Sequence, residues 1–201
     1  MSLNYYKNIR YDVLEIAPKI SHGKVMEIGG GDFPTLIKYN DKKFNELWGI
    51  DNYPSKRKGI RFICGSVEDD KLKKSIPSNY FDLIIANDVL EHLTDPEAFF
   101  SFVYQKLNQN GIFVLSVPNI RQLRTFYHVF LRGTFPRNEA GLFDKTHLRW
   151  FCKKDILNLA LNSRFDILDY KAVGKLVPKF MEKNQLAEFL ALQNLFVFKK
   201  I

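Results

Sequence analysis

Two acidic side chains and a run of glycines are the residues in this 201-residue chain best suited to bind a small charged ligand. Glu27 is followed by Gly29, Gly30 and Gly31, and Asp51 stands about twenty residues further on. Glycines allow positive φ and a close approach of a ligand, and a helix beginning behind them offers unpaired N–H groups. A carboxylate at Glu27 repels a pyrophosphate but attracts an ammonium or a sulfonium, whereas the two oxygens of Asp51 can accept both hydroxyls of a ribose. The alternative is a tight turn that binds no ligand.

Histidines are the candidates for acid–base chemistry. His92 follows a long apolar run, and His147 lies in an irregular stretch further on. The ordinary pKa of imidazole makes either side chain a workable general base near neutral pH. The alternatives are a His92 bonded to nearby backbone and a His147 packed beside Asp144 to hold that stretch in place. We expect no metal site.

Length and composition predict a single domain over residues 1–201. No apolar stretch approaches the roughly 18 residues of a membrane span, and the N-terminus is too polar for a signal peptide. Two dissimilar cysteines, Cys64 and Cys152, predict buried reduced thiols rather than a disulfide. These features favour a cytoplasmic location.

The formal net charge of +8 favours either an anionic partner or simply a well-solvated surface. The basic residues that create it fall into three groups: Lys56, Arg57 and Lys58; Lys71, Lys73 and Lys74; Arg121, Arg124, Arg132 and Arg137.

Seven strands and seven helices are predicted to position these residues. Apolar runs predict strands at 24–29, 46–51, 60–65, 81–88, 112–118, 164–173 and 194–200. Helical periodicity and end signals predict helices at 4–19, 34–40, 68–76, 96–107, 120–132, 153–163 and 178–192. Residues 52–59 are too few for a full helical crossover. The alternation predicts a largely parallel three-layer α/β sheet.

The glycine segment, with Glu27, Gly29 and Gly31, resembles the first motif of class I S-adenosylmethionine-dependent methyltransferases. Residues 81–93 and 107–119 are similar to segments of the ubiquinone-biosynthesis group, and 143–151 resembles a signature of methyltransferases associated with bacterial surface polysaccharides. The resemblance runs from about residue 20 to the end of the chain. It implies a Rossmann-like sandwich whose mostly parallel seven-stranded sheet ends in a C-terminal antiparallel hairpin, with S-adenosylmethionine as cofactor.

The resemblance also implies roles for individual residues. Glu27 is placed near the amino acid end of the cofactor, Gly29 and Gly31 beneath it, Asp51 and Asn52 at the ribose, Ser66 and Val67 beside the adenine, and Asn87 and Leu90 closing the pocket. Two residues depart from the family pattern. Phe33 replaces a glycine, and Ser66 replaces an aspartate whose adenine contact passes to Glu68 or to backbone. Tyr5 and Tyr6 either reach the sulfonium or pack in the core.

The predicted activity is O- or N-methylation of a small molecule, glycan or lipid-linked acceptor, with His147 and His92 as candidate catalytic residues. Residues 120–150 are interpreted as a substrate-side lid or a folded insertion. Alternatives are an RNA methyltransferase and an inactive binding module of the same fold. A dinucleotide-dependent oxidoreductase is disfavoured, because it would have a third glycine near Pro34 and no acid at Glu27.

Overall fold

The fold is built on one seven-stranded sheet. A computed structural model describes residues 8–41 and 45–201, with only the backbone at Gln185. The strands are β1 (Lys24–Ile28), β2 (Glu46–Asp51), β3 (Arg61–Cys64), β4 (Phe81–Asn87), β5 (Leu107–Pro118), β6 (Phe165–Val173) and β7 (Gln193–Lys200). Their order is β3-β2-β1-β4-β5-β7-β6. The first five strands pair in parallel, and β7 is antiparallel to both β5 and β6. The predicted Rossmann-like sheet with an antiparallel hairpin is confirmed.

Short helices cover the two faces of this sheet. The α-helices are α1 (Tyr11–Ile16), α2 (Pro34–Tyr39), α3 (Asp70–Ser75), α4 (Pro96–Lys106), α5 (Leu123–Phe126) and α6 (Lys153–Asn162). Helix α4 begins where the sequence predicts it, because the Asp95 side chain accepts the Ala98 N–H at 2.8 Å and Pro96 occupies the first helical position. Residues 52–59 form no helix, as predicted.

The core lies in two layers, one on each side of the sheet. Val13 of α1 and Leu36 of α2 pack with Leu83 of β4 on one face. Helices α3, α4 and α6 cover the other face, where they pack with Ile84. Because neighbouring residues of β4 point to opposite faces and both faces are covered, this strand is a continuous apolar run.

Three local predictions are wrong. Residues 178–192 form two 3₁₀ turns, Lys179–Met181 and Gln185–Phe189, instead of an α-helix. Asn184 separates them, because its side chain accepts the Leu186 N–H at 2.9 Å and so competes with helical pairing. The helix predicted over 120–132 is a short α5 followed by a π-helix at Tyr127–Leu131.

The third wrong prediction is that the two cysteines are buried. Both cysteines are free, but Cys64 is exposed, since β3 is the edge strand of the sheet. The predicted helix 4–19 is observed over Tyr11–Ile16, and Tyr5 and Tyr6 lie outside the described residues. The described residues contain no helix that is long and apolar enough to cross a membrane.

The sheet topology places a crevice above the carboxyl ends of β1 and β4. The chain runs outward from β1 through β2 to β3, and then returns to β4 on the other side of β1. Ligands of open α/β sheets bind at such a reversal of strand order. Glu27, Asp51 and Asn87 all lie at or near the strand ends that face it.

Candidate active site

A cavity of about 1280 Å³ opens at this crevice and continues toward residues 139–147. Five of the predicted cofactor residues line it: Gly29, Asp51, Asn52, Ser66 and Val67. The other four, Glu27, Gly31, Asn87 and Leu90, are buried behind its wall. Both candidate catalytic histidines, His92 and His147, also line this cavity.

The glycine turn after β1 leaves no room for side chains. Gly29 has a φ of +74°, and a Cβ at this position would lie 2.3 Å from Cγ2 of Val89. Gly31 also has positive φ, at +58°, and its N–H donates to Oδ2 of Asp51 at 2.8 Å. The turn is therefore fastened to the end of β2 by a carboxylate that also faces the cavity.

Asp51 keeps acceptor capacity for a ligand. Its second oxygen, Oδ1, accepts the Tyr53 N–H at 2.7 Å, so each oxygen has one backbone donor. A carboxylate offers about four acceptor sites in all. The remaining ones are available for the hydroxyls of a ribose in the cavity.

Glu27 lies beneath the glycine turn and is only 2% exposed. Its carboxylate accepts the Leu36 N–H and Nδ2 of Asn87, both at 3.2 Å. A Cβ on Gly30 would lie 2.8 Å from this carboxyl group. Burial raises the pKa of Glu27 to about 7. The side chain thus joins β1, β4 and α2 directly below the turn.

Phe33 lies outside the cavity. Its ring is fully buried on the other side of the turn, tilted against Phe62 at 5.8 Å, and it fills the space above Gly49. Its backbone is left-handed, with φ of +56°. The substitution of phenylalanine for the family's glycine leaves the crevice open.

Glu68, to which the adenine contact is predicted to pass, is already hydrogen-bonded within the protein. Glu68 lines the cavity, but its Oε1 accepts the N–H and the hydroxyl of Thr94 at 2.9 and 2.6 Å. Ser66 accepts the Glu68 N–H at 3.1 Å. Glu68 therefore links the loop after β3 to the start of α4.

Arg10 and Asp88 are site residues that sequence reasoning missed. The Arg10 guanidinium bonds both oxygens of Asp12, at 3.0 and 2.9 Å, and Oδ2 of Asp88 at 2.6 Å. Asp88 also accepts Nε2 of Gln193 at 2.8 Å. All four residues line the cavity. The available signal was the position of Asp88, directly after β4, which matches that of Asp51 at the end of β2.

His92 and His147 pack edge to face, with ring centroids 4.8 Å apart. Nδ1 of His92 lies 3.2 Å from the Thr146 carbonyl, and Nδ1 of His147 lies 3.1 Å from the Leu142 carbonyl. Burial, together with the neighbouring His92, lowers the pKa of His147.

Glu91 brings the two histidines together. Its backbone carbonyl accepts the N–H groups of Leu148 and Arg149, at 2.9 and 3.1 Å, and so holds the segment that carries His147. Its side chain is 1% exposed, and Oε1 lies 3.9 Å from Nε2 of His147. Burial, followed by the charge of Asp88, raises the pKa of Glu91 well above its usual value.

The sheet order, the glycine turn and the acid at the end of β2 together define a Rossmann-like methyltransferase fold. The family model described as a methyltransferase domain matches residues 4–169. The chain belongs to this methyltransferase family, and its cofactor is S-adenosylmethionine.

Solved structures of the same fold agree. An S-adenosylmethionine-dependent methyltransferase from Mesorhizobium loti superposes with a TM-score of 0.64 at 14% identity, covering 94% of this chain and 96% of that one. The 1,6-didemethyltoxoflavin-N1-methyltransferase of Burkholderia thailandensis, solved with its substrate and S-adenosylhomocysteine, gives 0.60 at 15% identity, covering 90% and 72%. The chain has no significant match among curated proteins.

Proposed function

We propose that the protein transfers a methyl group from S-adenosylmethionine to an oxygen or nitrogen of a small-molecule, glycan or lipid-linked acceptor. The observation that carries this proposal is one continuous cavity lined by two different groups of residues. Asp51 ends β2 on one side of β1, whereas His92 follows β4 on the other side of β1 and packs against His147. Such a cavity suits a donor and an acceptor held side by side.

The donor end is assigned to the residues after β1, β2 and β3. Asp51 accepts the ribose hydroxyls, Asn52 adjoins the same edge, and Ser66 and Val67 flank the adenine. Arg10 offers a guanidinium to the carboxylate of the methionine part. Glu27 and Asn87 act as positioning residues beneath the turn. When bound, the cofactor supplies an activated methyl group on a sulfonium, so the protein mainly aligns the acceptor and excludes water.

The acceptor end is assigned to residues 120–150 and the loop before β7. Arg124, Lys175 and Gly141 line this end of the cavity. The adjoining helix exposes Phe126, 52% exposed, and Phe130, 72% exposed, which stack on each other at 5.3 Å. Exposed apolar area beside basic side chains supports an acceptor that is anionic and partly apolar.

Cofactor binding is the first test. Calorimetry with S-adenosylmethionine and, separately, with NAD should show binding of the former alone. An absence of binding at millimolar S-adenosylmethionine would favour an inactive module, and tight NAD binding would favour an oxidoreductase.

Acceptor class is the second test. A methyl-labelled donor should transfer label to a hydroxyl- or amine-bearing small molecule, glycan or lipid-linked glycan supplied in separate reactions. Transfer to RNA alone would replace the proposed acceptor with a nucleic acid.

A further inference from the structure

In the described part of the chain, the side chain of Glu91 has no hydrogen bonds that account for its burial. It is 1% exposed, yet neither carboxylate oxygen has a hydrogen-bond donor among the described residues. A buried carboxyl group without partners is costly. Asp51, Glu27 and Asp144, which are also buried acids of the site, each accept two hydrogen bonds. Glu91 therefore lacks a hydrogen-bond donor among the described residues, and Nε2 of His147 approaches its Oε1 only to 3.9 Å.

Two imidazoles face this carboxyl group. Three residues, Glu91, His92 and His147, each offer one possible ligand atom. These three atoms all lie within 4.8 Å of one another. Two ligand atoms of a tetrahedral zinc ion are about 3.4 Å apart. A contraction of about 1.4 Å in the longest separation, within reach of side-chain rotation, would therefore seat all three on one ion.

The histidines are already oriented as metal ligands usually are. Each has Nδ1 close to a backbone carbonyl, Thr146 for His92 and Leu142 for His147. A donated Nδ1–H leaves Nε2 with a lone pair, and this outer hydrogen bond fixes both the tautomer and the ring orientation. In His147 it is Nε2 that lies toward Glu91.

We propose that Glu91, His92 and His147 bind a divalent transition-metal ion of the Zn²⁺ type. Two imidazoles and one carboxylate suit such ions better than they suit Mg²⁺ or Ca²⁺, which prefer oxygen ligands alone. Three protein ligands leave a coordination position open, as in catalytic rather than structural zinc sites. All three residues line the cavity, so an ion that they bind would be accessible to an acceptor there.

The role of the ion rests on the proposed function, although its binding does not. An acceptor hydroxyl coordinated at the open position would release its proton to solvent more readily, since a bound zinc ion lowers the pKa of water to about 7. The acceptor oxygen then forms the bond to the methyl carbon, and the carbon–sulfur bond breaks with its electron pair remaining on sulfur. The acceptor class is therefore an alcohol or phenol rather than an amine.

Metal binding is tested directly on the purified full chain. After treatment with a chelator, the protein is titrated with Zn²⁺ by calorimetry, with Co²⁺ by its visible absorption, and with Mg²⁺ and Ca²⁺ in parallel. We expect about one Zn²⁺ or Co²⁺ per chain. Glu91→Gln and His147→Gln should abolish it. The matched control is His22→Asn, an exposed histidine with φ of +58° that asparagine tolerates, and it should bind as wild type does.

Binding of S-adenosylhomocysteine is measured on the same samples. Variants that lose Zn²⁺ but keep S-adenosylhomocysteine confirm the site. A wild-type protein that binds S-adenosylhomocysteine but no Zn²⁺ or Co²⁺, or variants that bind metal as wild type does, overturn the metal site and leave the methyltransferase proposal standing. Metal binding without any cofactor binding would instead contradict the proposed function.

Discussion

The two ends of the cavity are built in opposite ways. At the proposed donor end, backbone N–H groups donate to side-chain carboxylates around the turn after β1: Gly31 donates to Asp51, and Leu36 of α2 donates to Glu27. At the proposed acceptor end, residues 120–150 form a short helix, a π-helix and one isolated bridge between Asn138 and Asp144, and they expose large aromatic side chains.

The contrast indicates that a ligand shared by the whole family and a ligand particular to one enzyme are bound by different parts of the chain. A ligand shared by a whole family needs backbone groups and carboxylates at strand ends, which the sheet positions rigidly. An acceptor particular to one enzyme is bound by loops, which tolerate changes of sequence. The donor end should therefore respond to substitution through stability and cofactor affinity, and the acceptor end through turnover.

The largest expected effect is at the glycine turn. Gly29→Ala forces a Cβ to within 2.3 Å of Val89 at a positive φ, and we expect a loss of about 3 kcal/mol in the free energy of unfolding. Gly141→Ala at the acceptor end is the control, because its φ is also positive, +84°, but a Cβ there has open space. It should cost about 1 kcal/mol. Equal losses in urea titrations would contradict the close-approach argument.

The second effect concerns pH and Glu27. The pKa of the Glu27 carboxyl group is about 7 in the folded protein, above the ordinary value of 4.5. Well below pH 4.5, this carboxyl group is therefore protonated in both the folded and the unfolded chain. As pH rises toward 7 the unfolded chain ionises first, and stability is lost, by about 3 kcal/mol in total. Relative to Glu27→Gln, which keeps an acceptor oxygen, the wild type should lose stability over this window. Parallel curves for the two proteins would refute the raised pKa.

Sequence reasoning succeeded where the determinants are local. The strand at 46–51 was predicted to the residue, and Asp51 was placed at its end, because apolar runs and turn residues are short-range signals. It failed where a partner is distant in sequence. Arg10 and Asp88 are 78 residues apart, and Glu91 meets His147 only because a later segment folds back onto its carbonyl. The helix predicted over 178–192 is wrong for a similar reason, because the Leu192 N–H donates to the carbonyl of Val173 in β6.

Cofactor affinity gives the third effect. Asp51→Ala should weaken binding of S-adenosylhomocysteine by about 1–3 kcal/mol, because the ribose hydroxyls lose their acceptor. Asp166→Ala, an exposed acid on β6 at the far side of the sheet, is the control and should bind normally. Unchanged affinity in Asp51→Ala would remove its assignment to the ribose.

The fourth effect is on turnover, which distinguishes the proposed acceptor end from the proposed donor end. His147→Ala should lower kcat by about 10- to 100-fold, with S-adenosylhomocysteine affinity within about 0.5 kcal/mol of wild type. This pattern is expected from the proposed place of His147 at the acceptor end of the cavity, where it packs against His92. A variant that instead lost cofactor affinity and kept its kcat would move His147 to the donor end.

The smallest effect on stability is expected on the exposed aromatic helix. Phe130 is 72% exposed, so Phe130→Ser should change the free energy of unfolding by less than about 0.5 kcal/mol. If the surface serves an amphiphilic acceptor, the same variant should raise KM while kcat stays near the wild-type value, because the contact acts on binding alone. Asn162→Ala, an exposed position at the end of α6, provides the baseline for both measurements. A large loss of stability in Phe130→Ser would show that these aromatic rings stabilise the acceptor end, which would then be as rigidly built as the glycine turn opposite.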